Sequence, residues 1–333
     1  MARNTSATSN CRRGIPNALG SLLLVPLLLV ALTADAAYSN ATASDPSVPD
    51  EIGLRLWRVS HNNHTVWILG VPEAVPSSTR WRLNEAEAVI ANAQQVVAQP
   101  TATLSTGLIT AFRALRLWTR KSKGLENYFD AETYARFTAL KAIHAPFDNR
   151  IEKLQPFMAV SRLRDAAIEN SGLNQYHGID EAVTKAAKAR RVPVHHPEWS
   201  KRDSKTTMEL LQSVTGAQGV TCAALVVNSL ESDIERLKAR ASAWADGDLE
   251  SLRRLAESQV EGDCMNELWQ RPKDIEAAVR AEWISAVDAA LEKNISTLAL
   301  APLADLLNAD GSLKQLRERG YTVETPSDRV VTD

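Results

Sequence analysis

Leu56-Trp57-Arg58-Val59-Ser60, a polar break His61-Asn62-Asn63-His64, and then Thr65-Val66-Trp67-Ile68-Leu69-Gly70-Val71-Pro72-Glu73-Ala74-Val75-Pro76 decide the fold. Leu54–Val59 and Thr65–Leu69 read as two short strands rich in Trp, Val and Ile. The polar cluster between them makes an antiparallel hairpin the simplest arrangement. The second strand is nearly all apolar, as expected of a strand covered on both faces by other layers. It stops at Gly70, and a lone carboxylate, Glu73, follows before Pro76. A polar side chain just past the C-terminal end of a buried strand stands where α/β sheets place their ligands.

Downstream, Leu83–Ala93 has helical spacing, and Val96-Val97-Ala98 is a short β-like run leading into Gln99-Pro100. Thr106–Arg120 sets Leu108, Phe112, Leu115 and Trp118 on one stripe, which predicts an amphipathic helix with a basic end. Asp130 is placed to cap a helix through Lys141, and Ile151–Asn170 is a further helix. Gly178-Ile179-Asp180 opens the helix Glu181–Arg190, and Val192-Pro193-Val194-His195 returns as a buried strand. Leu230, Ile234, Leu237, Ala241 and Trp244 step by three and four, the narrow stripe of a helix that pairs with another helix. Ile275, Val279, Trp283, Val287 and Leu291 step by four in Lys273–Lys293, which Pro272 introduces. Thr297–Ala301 is the last buried strand candidate, and helix Ser312–Arg319 stops at Gly320 before a terminal strand Tyr321–Glu324. Strands at both ends with helices between predict an α/β fold: a central mixed sheet flanked by helices, with a helical insert or cap at about residues 200–260.

Residues 1–36 combine a basic start (Arg3, Arg12, Arg13), an apolar run from Leu19 to Leu32, and the small residues Ala34-Asp35-Ala36. This is the pattern of a secretory signal peptide, and it predicts an exported, periplasmic or secreted product. Residues 37–51 read as a linker and residues 52–333 as the folded domain. No second long apolar run follows, so no stable membrane insertion is expected once the leader is removed. The chain holds 38 Lys and Arg and 40 Asp and Glu; without the leader's three arginines and Asp35, 35 basic residues face 39 acidic ones. So even a balance gives no electrostatic argument for nucleic acid or for an anionic membrane. Cys222 and Cys264 then remain, an even count in an exported chain, and a disulfide between them is expected. It would close a loop of about 40 residues.

Leu56-Trp57-Arg58-Val59, Trp67-Ile68-Leu69-Gly70 and Val75-Pro76…Trp81-Arg82 resemble the opening of TraB/GumN-type proteins, relatives of the Tiki metalloproteases. The likeness continues in order through Leu154-Gln155-Pro156-Phe157, Gly178-Ile179-Asp180, Pro193-Val194, Trp244…Gly247-Asp248-Leu249, Arg280, and Asp310-Gly311…Leu316-Arg317-Glu318-Arg319-Gly320-Tyr321-Thr322-Val323. It implies a mixed α/β sheet flanked by helices, related to the erythromycin-esterase-like group. The implied activity is divalent-metal-dependent hydrolysis, on peptides in the animal members. The implied ligands are two Gly-x-x-His motifs and a glutamate, each after a strand. Here the first motif reads Gly70-Val71-Pro72-Glu73, the second position reads Pro302-Leu303-Ala304-Asp305, and the glutamate's place is taken by Gln99.

Glu73 and Asp305 are therefore the candidate paired carboxylates, either as metal ligands or as a general acid/base pair. Without imidazole they suit an oxygen-preferring ion such as manganese, magnesium or calcium. Asp180 either caps its helix or lines the same cleft. Glu198 matches the acidic position after the Val194 strand, and Arg280 reaches either a substrate carboxylate or an internal acid such as Glu73. His195 and His196 are adjacent on an extended segment and point to opposite faces, so at most one would reach a common metal. Two functions follow. One is a non-catalytic or altered-site member that binds a peptide, glycan or protein partner in the old cleft. The other is a hydrolase with a rebuilt carboxylate site on Glu73 and Asp305, assisted by Asp180 or Glu198, with Arg280 orienting substrate.

Overall fold

The computed structural model describes residues 52–53, 56–77, 81–82, 84–118, 123–175, 178–257, 264 and 273–326. The expected leader (1–36) and linker (37–51), loop residues 78–80, His177 and Pro272 lie outside them.

Six strands make the central sheet: β1 (Leu56–His61), β2 (His64–Val71), β3 (Gln95–Val97), β4 (Val194–His195), β5 (Ser296–Pro302) and β6 (Thr322–Glu324). Their spatial order is β6-β1-β2-β5-β3-β4. The opening hairpin is antiparallel with His61 opposite His64, so Asn62-Asn63 forms a two-residue turn. Asn62 takes the left-handed conformation (φ 53°) that such a turn demands and that asparagine tolerates. β6 runs antiparallel to β1, and β5, β3 and β4 are added in parallel beyond β2. The sheet is mixed because a two-residue turn can only reverse a strand, whereas each parallel partner needs a long crossover. Val66, Ile68 and Leu69 of β2 and Leu298 to Ala301 of β5 are all buried, so the two central strands carry almost no polar side chains.

The helices are α1 (Asn84–Asn92), α2 (Leu108–Trp118), α3 (Ala131–His144), α4 (Pro156–Asn170), α5 (Ile179–Ala189), α6 (Ser204–Thr215), α7 (Ala217–Asp246), α8 (Leu249–Glu257), α9 (Lys273–Lys293), α10 (Leu303–Leu307) and α11 (Ser312–Glu318). All but α2 contribute to one or both of two apolar cores. One core joins the sheet to Ile90 of α1, Val183 of α5, Trp283 and Val287 of α9, and Leu306 and Leu316 of the last two helices. The other is mainly helical: Phe137 of α3, Leu163 of α4 and Val227 and Leu230 of α7 pack together, with Ala74 and Leu173 joining from outside the helices. The stripe from Leu230 to Trp244 is buried as its spacing predicts, and its last member, Trp244, reaches the sheet core. The helical body draws on residues 125–173 as well as on α6 and α7. Cys222 of α7 is bonded to Cys264, with their Cα atoms 5.5 Å apart.

A parallel ribbon of Thr101–Ser105 and Glu198–Arg202 lies outside the main sheet and was not legible in the sequence. It ends at Asp203, whose Oδ1 accepts hydrogen bonds from the Lys205 and Thr206 amides (3.1 and 3.0 Å) and caps α6. The Thr206 amide first, then its hydroxyl and Lys201, hold the Asp203 carboxyl well below the usual carboxylate range. A depressed folded pKa stabilises the fold above the unfolded value of about 3.9 and loses that effect as pH falls through the folded value. Asp203→Ala should therefore lower the melting temperature at neutral pH by about 2–4 °C. In thermal melts across an acid series the gap to wild type should close as pH drops below about 4.

Candidate functional site

Parallel pairing delivers the candidate residues to one edge of the sheet. β2 and β5 are adjacent and in register to their last residues, with Gly70 opposite Ala301 and Val71 opposite Pro302. β3 lies on the other side of β5 and points the same way. The segments that carry Glu73, Asp305 and Gln99 therefore all leave the C-terminal ends of neighbouring parallel strands, the edge at which such sheets bind ligands. Gly70 is small for a packing reason: a Cβ there would lie 2.9 Å from both Leu303 Cδ1 and the Trp57 ring. Its carbonyl accepts the Trp244 indole N–H at 3.4 Å.

Sharing an edge does not make Glu73 and Asp305 share partners. Asp305 stands in the first turn of α10 and is gripped from two sides. Its Oδ1 accepts Arg280 Nε at 2.6 Å, and its Oδ2 accepts the Ser312 amide at 3.2 Å and the Ser312 hydroxyl. Arg280 also donates to Glu276, one turn earlier on α9, at 3.0 Å. The Arg280 and Asp305 side chains are only 16% and 18% exposed, so this pair is screened less than a surface salt bridge. Gly311 closes the loop around it: a Cβ there would fall 1.9 Å from the Asp305 carbonyl oxygen. Glu73 instead accepts Arg164 of α4 at 2.8 Å. Burial lowers the pKa of Arg240 on α7, and the charge of Glu73 opposes that shift.

The remaining candidates separate further. Asp180 does not cap α5, whose N-cap is Gly178; its two oxygens accept Gln99 Nε2 at 2.9 Å each. Glu198 is exposed on the outer ribbon, opposite Thr101. His195 and His196 are both exposed, and the His64 ring is engaged by the Leu291 carbonyl. The internal acid that Arg280 reaches is Asp305. Of the contacts that sequence reasoning missed, Glu276 was detectable as the i, i+4 partner of Arg280. Ser312 stands directly after the Asp310-Gly311 landmark, but Arg164 and Arg240 left no local signal.

A cavity of about 550 Å³ opens beside the Arg280–Asp305 pair. Pro100, Val279, Trp283 and Leu307 give it apolar surface, and Glu276 and Asn308 add polar groups. Trp283 is 1% exposed, and its indole donates to the Leu300 carbonyl at 2.8 Å. Val279 is one turn earlier on the same stripe and half-buried, so the stripe runs off the sheet and becomes a wall of the cavity.

This is a mixed-sheet α/β protein with a ligand-sized hollow at the C-terminal edge of its parallel strands. The chain belongs to the TraB/PrgY/gumN family, whose model matches residues 55–325. No curated protein and no solved structure matches it. The metal that this family's resemblance implies does not fit the residues present. Guanidinium groups sit directly on Asp305 and Glu73, and the third ligand position holds a neutral glutamine already bonded to Asp180. Among the described residues no three His, Cys, Asp or Glu side chains gather as metal ligands. A divalent cation at either carboxylate would be repelled by the arginine that now neutralises it.

Proposed function

We propose that the chain is an exported, non-catalytic member of its family that binds a peptide segment of a partner in the cavity beside Arg280 and Asp305. The observation that carries this reading is the ion pair itself: Asp305 is satisfied by Arg280 and Ser312 at the mouth of an apolar hollow. A carboxylate so engaged shapes and rigidifies a wall; it is not free to activate water. Pro100, Val279 and Leu307 suit one apolar side chain, whose burial is worth about 1.5–3 kcal/mol. Asn308 and the exposed carboxylate of Glu276 suit the hydrogen-bonding groups of a peptide main chain. A glycan is disfavoured because the one aromatic residue in the described lining, Trp283, is buried with its indole N–H engaged and offers no face for a sugar to stack on. Export rests on the leader pattern of residues 1–36, and the Cys222–Cys264 disulfide agrees with an oxidising compartment.

The competing reading, a carboxylate-based metallohydrolase on Glu73 and Asp305, has in its favour that adjacent parallel strands deliver both acids to one edge. Elemental analysis of native protein separates the two, paired with thermal melts of chelated protein given Mn²⁺, Mg²⁺ or Zn²⁺. The expected result is no stoichiometric metal and an unchanged melting temperature. A rise in melting temperature that Glu73→Ala or Asp305→Ala abolishes would replace the binding reading with the hydrolase. For binding itself, a peptide library should yield ligands whose affinity falls at least about tenfold in Val279→Trp, which fills the hollow.

A further inference from the structure

We infer that α2 is a surface anchor that lays the protein on an anionic phospholipid bilayer. The helix is held at its start: the Thr106 hydroxyl donates to Ser204 Oγ at 2.9 Å, and the Gly107 amide donates to the same oxygen at 3.1 Å. Thr110, Ala114 and Leu117, spaced four and three apart, are half-buried and form its inner face. The stripe that the sequence predicts points the other way. Leu108 is 90% exposed, Ile109 80%, Phe112 67% and Leu115 59%. Scattered apolar side chains on a surface are ordinary, but four on one helix face, large and adjacent, are the mark of an interaction surface.

Charge selects the occupant. Arg113 and Arg116 are exposed, Arg113 at the edge of the apolar face and Arg116 one turn beyond Phe112. No Asp or Glu occurs between Glu87 and Glu126, so among the described residues Arg113, Arg116 and Lys123 stand in a stretch of sequence free of acids. On the neighbouring α6, Lys205 and Glu209 lie 3.9 Å apart and offset each other. The near-zero net charge of the whole chain hides this local excess. A helix with bulky apolar residues on its outer face and arginines at the flank lies in the headgroup plane, its apolar side chains below the phosphates and its guanidiniums among them. A protein partner would be served by the apolar face alone; an anionic bilayer uses Arg113 and Arg116 as well, each adding attraction. The docking is peripheral: no single helix among the described residues is long and apolar enough to cross a membrane.

The test is flotation of the full chain with vesicles of phosphatidylcholine alone or with added phosphatidylglycerol, every variant carrying the same N-terminus as wild type. The expected result is recovery with anionic vesicles only. Recovery should weaken about tenfold or more in Leu108→Ser/Phe112→Ser and several-fold in Arg113→Gln/Arg116→Gln, and salt should weaken it in wild type. All four positions are exposed, so the variants should melt as wild type does. Equal flotation of wild type and both variants would overturn the proposal, as would equal recovery on neutral vesicles. A dimer in sedimentation that Phe112→Ser dissociates, without vesicle binding, would assign the face to a second copy of the chain and overturn it equally.

Discussion

Removing the Cys222–Cys264 bond should lower the unfolding free energy by about 4 kcal/mol, close to the largest effect any single alteration of this chain will show. The two residues are 42 positions apart, so reduction returns to the unfolded chain the freedom of a long loop. Cys222 is 3% exposed within the helical core, where α4 and α7 pack, so alanine is the right replacement; serine would bury an unsatisfied hydroxyl and exaggerate the loss. For a domain of this size the loss corresponds to a fall of about 10 °C in melting temperature. Urea melts of wild type under reductant and of Cys222→Ala/Cys264→Ala should agree with each other and both fall below wild type without reductant. Alkylation of unreduced native protein should leave both sulfurs unlabelled. A double-alanine variant as stable as wild type would mean that the unfolded chain is already constrained in this region, the usual way in which the loop-entropy argument fails.

What the sequence disclosed of this fold, and what it withheld, follows from the range of the interactions involved. The hairpin was readable because Trp57, Val59, Val66 and Ile68 are apolar neighbours around a turn that only Asn62-Asn63 could make. β5 was readable because the short run Thr297–Ala301 is almost wholly apolar, as a strand covered on both faces requires, and all five residues are buried. Glu73 and Asp305 were each readable as following a buried strand, and it is the parallel pairing of those two strands that brings both segments to one edge. Their partners were not readable. Arg164 is 91 residues from Glu73, and Arg280 is 25 residues from Asp305 on a helix whose rotation decides which acid it meets. Asp180 shows the same limit: capping is a local act, and a distant Gln99 displaced it. The ribbon of Thr101–Ser105 and Glu198–Arg202 was invisible because exposed strands need no apolar alternation. In α2 the periodicity was correct and its usual meaning was not. Apolar spacing says that a helix has a face, and only the fold, which half-buries Thr110, Ala114 and Leu117 and sets α2 beside α6, says that this face points outward.

Trp283→Ala should destabilise the protein by about 4 kcal/mol, because one side chain there serves core, sheet edge and cavity together. The ring is 1% exposed between α9 and β5 and is among the largest fully buried side chains. Its indole donates to Leu300, two residues before the strand ends and five before Asp305. Truncation removes the apolar contacts and leaves that carbonyl without its donor, and the space created adjoins the existing hollow. Trp283→Phe restores most of the volume but not the hydrogen bond, so it should cost about 1–3 kcal/mol. Val279→Ala, one turn away on the half-buried wall, should fall below either. Urea unfolding with a common slope would establish the order wild type, Val279→Ala, Trp283→Phe, Trp283→Ala. The order matters beyond stability. If Trp283→Phe lowered peptide affinity more than Val279→Ala while both kept their slopes, the hydrogen bond to Leu300 would be what sets the position of Asp305 at the rim. If Val279→Ala lowered affinity more, contact with the cavity wall would dominate, and the ion pair beside it would be scaffold.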